Sequence, residues 1–378
     1  MRKFRIAIFT GNYNHIRDGV SHTLNRLVAY LESRGIDVMV FGPWTPEPAI
    51  QHEGTFVPVY SISAPGRPEY RVSLGFPETE KKVLEDFNPD IIQISTPDLL
   101  GYLALRYAQK KNIPVVSSYH THFSSYLKYY KLSFMEKWLW KYLFWFYSKC
   151  EHLYIPSPSI LQDLKDMHIP CELRIWSRGV DTSLFSPEKR DMKWRRSLGI
   201  SDEDKVVAFV SRLVWEKNLE QVARTMQGLV RKNPSVKTLI IGDGPARPDL
   251  QERLPDTIFT GHLEGESIAK AYASSDLFFF PSDTESFGNV TLEAMSCGLP
   301  AVVADAAGSR SLVDEGVTGY KVQAKDTNTF IRYLDELARD DQKAQAMGKA
   351  SREKAMKYDW DRVQEELVAN YFDVLDRL

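Results

Sequence analysis

Short apolar runs alternate with stretches of amphipathic spacing from one end of the chain to the other. In the first half the runs are Phe4–Thr10, Asp37–Phe41, Ile91–Ile94, Val115–Tyr119 and Leu153–Pro156. Each has the length of a strand and is too short for an ordinary helix. Helical patterns lie between them. Val20–Ser33 repeats apolar residues at three-to-four spacing through Leu24, Leu27, Val28 and Leu31, and Leu99–Lys110 follows the start signal Pro97-Asp98. The alternation restarts after residue 204, with strands at Lys205–Val210, Thr238–Ile241, Thr257–Thr260, Leu277–Pro281 and Ala301–Ala304. Helices follow at Leu219–Val230, Ser267–Ser274, Val290–Ser296 and Thr327–Ala338. Continuous apolar strands separated by helices predict parallel sheets covered on both faces. The chain therefore reads as α/β, with two Rossmann-like, doubly wound parallel-sheet domains facing each other across a cleft.

The polar stretch 178–204, with Gly179, Pro187 and Gly199, reads as a linker with a short helix. The expected domains are 1–178 and 179–358, followed by a helix over 359–378 whose return to the first domain is left open. In doubly wound sheets ligands sit outside the carboxyl ends of the strands. Two such sheets suit a reaction of two substrates.

Composition narrows the partners. At 378 residues the chain is long enough for two cores, and 43% hydrophobic with 26% charged residues is ordinary globular composition. The 48 basic and 50 acidic side chains nearly cancel, which argues against a nucleic-acid partner. Three cysteines, Cys150, Cys171 and Cys297, lack metal spacing and fit reduced thiols. The amino-terminal apolar run breaks at Gly11, too early for a signal peptide, and no run reaches the ~18 residues of a spanning helix. The expected location is cytoplasmic, with a peripheral place on the inner face of the cytoplasmic membrane as a variant. Charge is uneven: residues 1–180 hold 21 basic and 17 acidic side chains, net +4, and the remainder is net −6.

The segment most informative about chemistry runs from Phe278 to Glu293. A strand ends at Pro281, a polar loop follows, and a helix begins near Asn289. Gly288 at the helix entry allows close approach to the backbone. The first amides of the helix, at Phe287, Gly288, Asn289 and Val290, suit a phosphate or an electron-rich sugar hydroxyl. Glu285 and Glu293 flank that turn, and carboxylates suit paired hydroxyls.

Glu285-x7-Glu293 with Phe287-Gly288 between resembles the signature of retaining glycosyltransferases of family 4, which have the GT-B fold. Other segments resemble the same family in order: Asp18-Gly-Val20, Tyr119-His-Thr121, Ser211-Arg-Leu-Val-Trp-Glu-Lys217, Ile241-Gly-Asp-Gly-Pro245, Phe259-Thr-Gly-His-Leu263, Ser296-Cys-Gly-Leu-Pro300 and Gly316-Val-Thr-Gly319. The resemblance covers nearly the whole chain. Asp18 departs from it, standing where the family has a glycine.

By this resemblance His120, Arg212, Lys217 and Glu285 are the catalytic set: Arg212 and Lys217 grip the diphosphate of a nucleotide-sugar donor, and His120, with its neighbour His122 as the competing candidate, contacts the transferred sugar. Donor binding falls to Gly19, Gly242, Gly244, His262, Leu263, Phe287, Gly288, Asn289, Val290 and Glu293. A fork donor and a point charge at a strand end would neutralise the pyrophosphate as the glycosidic bond breaks. The competing reading of Arg212 and Lys217 is a surface pair with Glu216 or Glu220, worth ~0–1 kcal/mol. The resemblance implies retention of configuration, no cofactor and metal independence.

Ile175-Trp-Ser-Arg-Gly-Val-Asp181, Gly242-Asp-Gly-Pro-Ala-Arg247 and Thr260-Gly-His-Leu-Glu-Gly265 are similar to segments of bacterial GDP-mannose-dependent α-mannosyltransferases and sulfoquinovosyl-diacylglycerol synthases. A GDP-mannose donor is favoured, with a UDP-hexose open. A membrane glycolipid or diacylglycerol acceptor stands first, and a soluble saccharide or small alcohol second. Tyr126–Lys149 holds eleven aromatics and five lysines against one glutamate. Lys128, Lys131, Trp138, Trp140, Lys141 and Trp145 are its candidates for contact with an anionic membrane; a helix packed inside the first domain is the alternative. Two other classes remain for comparison. An oxidoreductase fails because no G-x-G-x-x-G follows the first strand. A non-catalytic nucleotide-sugar binder would not require His120 and Glu285.

Overall fold

Strands whose every residue is buried must be covered on both faces, and that requirement organises both halves of the chain. In the computed structural model, which describes residues 3–64, 67–119, 136–283 and 287–377, the chain divides into two units. The first comprises Met1–Trp176 with Gln364–Leu378, and the second Ser177–Val363.

The first unit runs β1 (Arg5–Phe9), α1 (Gly19–Ser33), β2 (Asp37–Pro43), β3 (Thr55–Val59), the hairpin β4 (Ser61–Ala64) and β5 (Arg67–Ser73), and α2 (Glu78–Phe87). It continues through β6 (Ile91–Ile94), α3 (Leu99–Lys111), β7 (Val115–Ser118), α4 (Glu136–Tyr147), β8 (His152–Ile155), α5 (Pro158–Asp166) and β9 (Glu172–Ile175). The sheet order is β3-β2-β1-β6-β7-β8-β9, parallel throughout. The apolar stripe of α1 behaves as its spacing predicts, with Leu24, Leu27, Val28 and Leu31 fully buried.

The second unit runs α6 (Met192–Ser197), β10 (Lys205–Val210), α7 (Leu219–Lys232), β11 (Val236–Ile241), α8 (Arg247–Arg253), β12 (Ile258–Gly261) and α9 (Gly265–Ala273). Then come β13 (Leu277–Phe280), α10 (Asn289–Ser296), β14 (Ala301–Ala304), α11 (Ala307–Arg310), β15 (Gly319–Val322), α12 (Thr327–Arg339) and α13 (Asp341–Ala355). Its parallel sheet has the order β12-β11-β10-β13-β14-β15. Order reverses at β10, so a crevice opens between the carboxyl ends of β10 and β13.

The last helix, α14 (Trp360–Leu375), carries the chain back to the first unit. Its Tyr371 is fully buried, donates its hydroxyl to Gln93 on β6 and packs edge-on against Phe4 at 6.0 Å and Tyr154 at 5.9 Å. Both chain crossings differ from the expected 178/179 and 358/359. Val180 donates its amide to the Tyr358 carbonyl, the Thr182 hydroxyl bonds Asp359, and Gly179 lies against the Trp360 ring. These contacts hold both ends of the connection in the second unit, so the divisions fall at 176/177 and 363/364.

The unpredicted strands β3, β9 and β15 are edge strands. β3 and β9 are half-exposed, and β3 contains Pro58, which an edge tolerates because one side of the strand makes no ladder. Truncating the buried Tyr371 to alanine should cost about 3–5 kcal/mol, in the range of large aromatic deletions. Urea unfolding followed by first-unit probes measures it, and a cost under 1 kcal/mol refutes the role of α14 in that core.

Candidate active site

The second unit's crevice is built from four loops that follow β10, β11, β12 and β13. Those after β10 and β11 are zipped together by main chain alone: Ser211 donates to the Ile241 carbonyl at 3.1 Å, Leu213 to Asp243 at 2.9 Å, and Ala246 to Leu213 at 3.1 Å. Such contact leaves no room for side chains. A Cβ on Gly242 (φ +136°) would lie 1.9 Å from the Ser211 carbonyl oxygen, and one on Gly244 would lie 2.5 Å from that of Leu213. Gly242 and Gly244 thus shape the platform.

A cavity of about 410 Å³ sits on this platform, lined by Arg212, Gly242, Asp243, His262, Leu263 and Val290 among others. Five of these are residues singled out from the sequence. A larger hollow, about 760 Å³, lies at the amino edge of the same sheet, beside Lys205, Asp276 and Pro300. It holds none of the expected site residues and faces the end of the sheet where α/β folds do not bind ligands.

Arg212 is exposed and pairs at 3.2 Å with Glu216, also exposed, an interaction weak enough for an incoming anion to replace. Glu220 is engaged elsewhere, by Arg224 at 2.7 Å and Arg253 at 2.8 Å. Lys217 ends a single 3-10 turn, Trp215–Lys217, and its amide donates to Val214. His262 is exposed, 3.8 Å from Glu264. Leu263 is partly buried against the core, presenting an apolar surface beside the glycine platform.

The first turn of α10 has no side-chain cap, and Gly288 before it adopts a left-handed conformation (φ +91°). Asn289 and Val290 open the helix. The Phe287 ring is buried and meets Tyr358 edge-on at 6.1 Å, which leaves its main chain for a ligand. Glu293 accepts the Tyr272 hydroxyl at 3.0 Å. Burial pushes its carboxyl up to about 7, against the lowering effect of the Tyr272 bond. Tyr272 itself is fully buried and was not evident from the sequence, where it is one aromatic in an alanine-rich helix.

Glu285, His120, His122, Lys128 and Lys131 lie outside the described residues. In the first unit, Gly19 opens α1, whose Val20 and Ser21 amides both donate to one carboxylate oxygen of Asp18, at 3.0 and 2.8 Å, and are thus already engaged. The departure from the family glycine therefore supplies the helix start with its own negative charge. On α4, Leu143, Phe146 and Tyr147 are buried, and Trp140 packs on the same core. Trp138 is 70% exposed with the Lys141 ammonium 5.1 Å from its ring centroid, and Trp145, 36% exposed, stacks on Tyr142 at 6.0 Å. Core packing and an exposed aromatic-basic face coexist on one helix, and Trp140 belongs to the former.

Among the described residues, His152, Glu172 and Asp373 converge closely enough to hold a metal. Arg174 and Arg377 already bond both carboxylates, and the cluster lies at the amino ends of β8 and β9, the end of a doubly wound sheet where ligands do not bind. The donor set is thus occupied by guanidinium charge.

Comparison with known proteins follows the same division. Residues 17–184 match glycosyltransferase family 4, and residues 191–354 match the glycosyl transferases group 1 family. A GDP-mannose-dependent alpha-mannosyltransferase of Corynebacterium glutamicum is 31% identical over 379 residues, 99% of this chain and 90% of its own. An alpha-monoglucosyldiacylglycerol synthase of Streptococcus pneumoniae is 27% identical over 79% of this chain and 70% of its own. The UDP complex of Anabaena HepE superposes with a TM-score of 0.76 at 18% identity, covering 99% of this chain and all of that one. Two doubly wound parallel-sheet units over that length make the fold GT-B.

The Glu293 environment has a consequence for stability. The folded carboxyl keeps its proton to about 7, whereas an unfolded one releases it near the ordinary 4.5. Between those values the folded state binds more protons, so stability falls as pH rises. Glu293→Gln should flatten the decline in melting temperature between pH 5 and pH 8, and parallel curves for the two proteins would refute it.

Proposed function

Because the chain belongs to the group 1 and family 4 glycosyltransferases, nucleotide-sugar-dependent enzymes, we propose that it transfers a hexosyl group with retention of configuration to a membrane glycolipid or diacylglycerol acceptor. Mannose from GDP-mannose stands first and glucose from a UDP-sugar second. The observation that carries the reading is the cavity at the β10–β13 reversal, where Arg212, Gly242, His262, Leu263 and Val290 meet. The names of the Corynebacterium and Streptococcus relatives support the donor and the lipid acceptor respectively.

Each residue then has a task set by its chemistry. The bare glycine platform lets the donor backbone approach the main chain, and Leu263 offers an apolar rest for the base beside His262. Glu293, held by Tyr272, is suited to a pair of ribose hydroxyls as acceptor. The uncapped start of α10 aims its dipole and amides toward an anionic or hydroxyl-rich group. Arg212 and Lys217 neutralise the pyrophosphate, whose charge grows as the glycosidic carbon–oxygen bond breaks. Charge stabilisation that strengthens during bond breaking raises turnover, not merely affinity. The acceptor hydroxyl attacks from the leaving-group face, and its proton passes to a β-phosphate oxygen. His120 keeps its assignment to the sugar, and Glu285 its place in the catalytic set. In this reading Arg212 and Lys217 supply the positive charge at the leaving group, and no metal or other cofactor takes part.

A peripheral site of action on an anionic membrane fits the outer face of α4, where Trp138, Lys141 and Trp145 offer aromatic rings and positive charge. Among the described residues no helix is long and apolar enough to cross a membrane.

Thermal shift with GDP, UDP and ADP should identify the donor class, since a ligand that binds only the folded state raises its melting temperature; no shift with any of them refutes nucleotide-sugar use. Lys217→Ala should lower kcat by about 10²–10³, the usual loss for a donor aimed at developing negative charge. Near-normal turnover would remove its role. Sedimentation with phosphatidylglycerol vesicles at low salt should recover wild-type protein, and less of the Trp138→Ser/Lys141→Glu variant. Equal recovery would discard α4 as the contact.

A further inference from the structure

Asn218 stands immediately after Lys217, in the left-handed conformation (φ 59°, ψ 40°). Few residues adopt that conformation readily; glycine does so at no steric cost, and asparagine is the commonest alternative. Asparagine adds what glycine lacks, a side-chain amide. Here the amide nitrogen donates to the Pro281 carbonyl at 3.1 Å and to the Ala324 carbonyl at 3.3 Å. Its two hydrogens thus bind two different loops. Pro281 is the first residue after β13, at the root of the loop that carries Glu285 and leads to α10. Ala324 lies between β15 and α12. The Asn218 carbonyl, in turn, accepts the first amides of α7, from Gln221 and Val222.

A second tie runs parallel to the first. Gln221, buried in the first turn of α7, bonds Thr327 at the start of α12 through both ends of its amide, at 3.0 and 3.2 Å. Gln221 alone can fasten α7 to α12. What Asn218 adds is the connection to Pro281, which Gln221 does not touch.

We propose that Asn218 is a positioning residue for the transfer reaction. Its amide fixes the turn bearing Arg212 and Lys217 against Pro281 at the end of β13, so that the groups assigned to the diphosphate keep one spacing from the β13 side of the crevice. This rests on the proposed activity. A nucleoside-diphosphate sugar bound in the crevice lies between its β10 and β13 sides, and the bond that breaks joins the diphosphate to the sugar. An error in that spacing leaves the nucleotide bound by its other contacts and removes the alignment that counts as charge moves onto the pyrophosphate. The effect therefore falls on kcat and spares nucleotide affinity.

Two substitutions separate this role from mere turn geometry. Asn218→Gly keeps the left-handed backbone and deletes the amide. Asn218→Asp keeps the shape and sets a carboxylate against two carbonyl oxygens. With whichever donor shifts the wild-type melting temperature, Asn218→Gly should fold and bind the matching nucleoside diphosphate within about threefold of wild type, while kcat falls at least tenfold. Asn218→Asp should be worse. Hydrogen exchange at Ser282 and Asp283 should quicken in Asn218→Gly, a readout independent of turnover. Unchanged kcat with unchanged exchange overturns the proposal, as does a loss of nucleotide affinity equal to the loss of kcat. A wild-type protein that binds no nucleoside diphosphate and turns over no nucleotide sugar overturns the activity itself, whereas failure of the Asn218 variants alone to differ leaves that activity standing.

Discussion

The crevice of the second unit depends on a place where main chain meets main chain with nothing between. At Gly242 a single added carbon would sit 1.9 Å from a carbonyl oxygen of the neighbouring loop. No rotamer change relieves such an overlap, because neither partner is a side chain. The two loops can therefore share hydrogen bonds from Ser211 to Ala246, and the cavity floor inherits the stiffness of a β-ladder rather than the mobility of surface loops. Cationic groups on a stiff floor lose little order when an anion arrives. An exposed, weakly paired Arg212 suits the role proposed for it there: the floor supplies positioning, and the side chain supplies a charge.

Much of this was legible in the chain because buried parallel strands leave a strong signal. Lys205–Val210 and Ile91–Ile94 are uniformly apolar but for one terminal lysine or one glutamine, and the sheet buries them as such. Where the environment is divided, the signal fades. Glu172–Ile175 is an edge strand with charged residues on it, and its register is set by β8, not by its own composition. α13 shows the same loss of signal: it buries little beyond Met347, Gly348, Ser351 and Ala355, and approaches the Gly298 carbonyl through a glycine instead of an apolar stripe.

For the site, the glycines and the charged residues could be read from motif spacing, whereas their supports could not. Tyr272 and Asn218 act through single polar atoms on partners 21 and 63 residues away. Nothing local marks a hydroxyl that will meet Glu293 or an amide that will meet Pro281. Phe287 shows the converse: the motif singled out its main-chain amide, and nothing local marked that its ring would be buried against Tyr358. Asp18 shows how one substitution changes a helix end: the same carboxylate that caps α1 also occupies the amides a phosphate would seek.

The path of α14 bears on how the protein is made. Residues 177–363 form one continuous stretch with all its strands, so the second unit has everything it needs once that stretch has left the ribosome. The first unit, although synthesised earlier, lacks until then the helix that brings Tyr371 to Gln93 and Asp373 to Arg174. Phe4 and Tyr154 wait with one face uncovered while some two hundred residues pass. The usual order of synthesis-coupled folding, first unit first, is inverted here. The chain closes its beginning with its end, and a nascent protein halted before residue 364 carries an open seam in the part that was translated first.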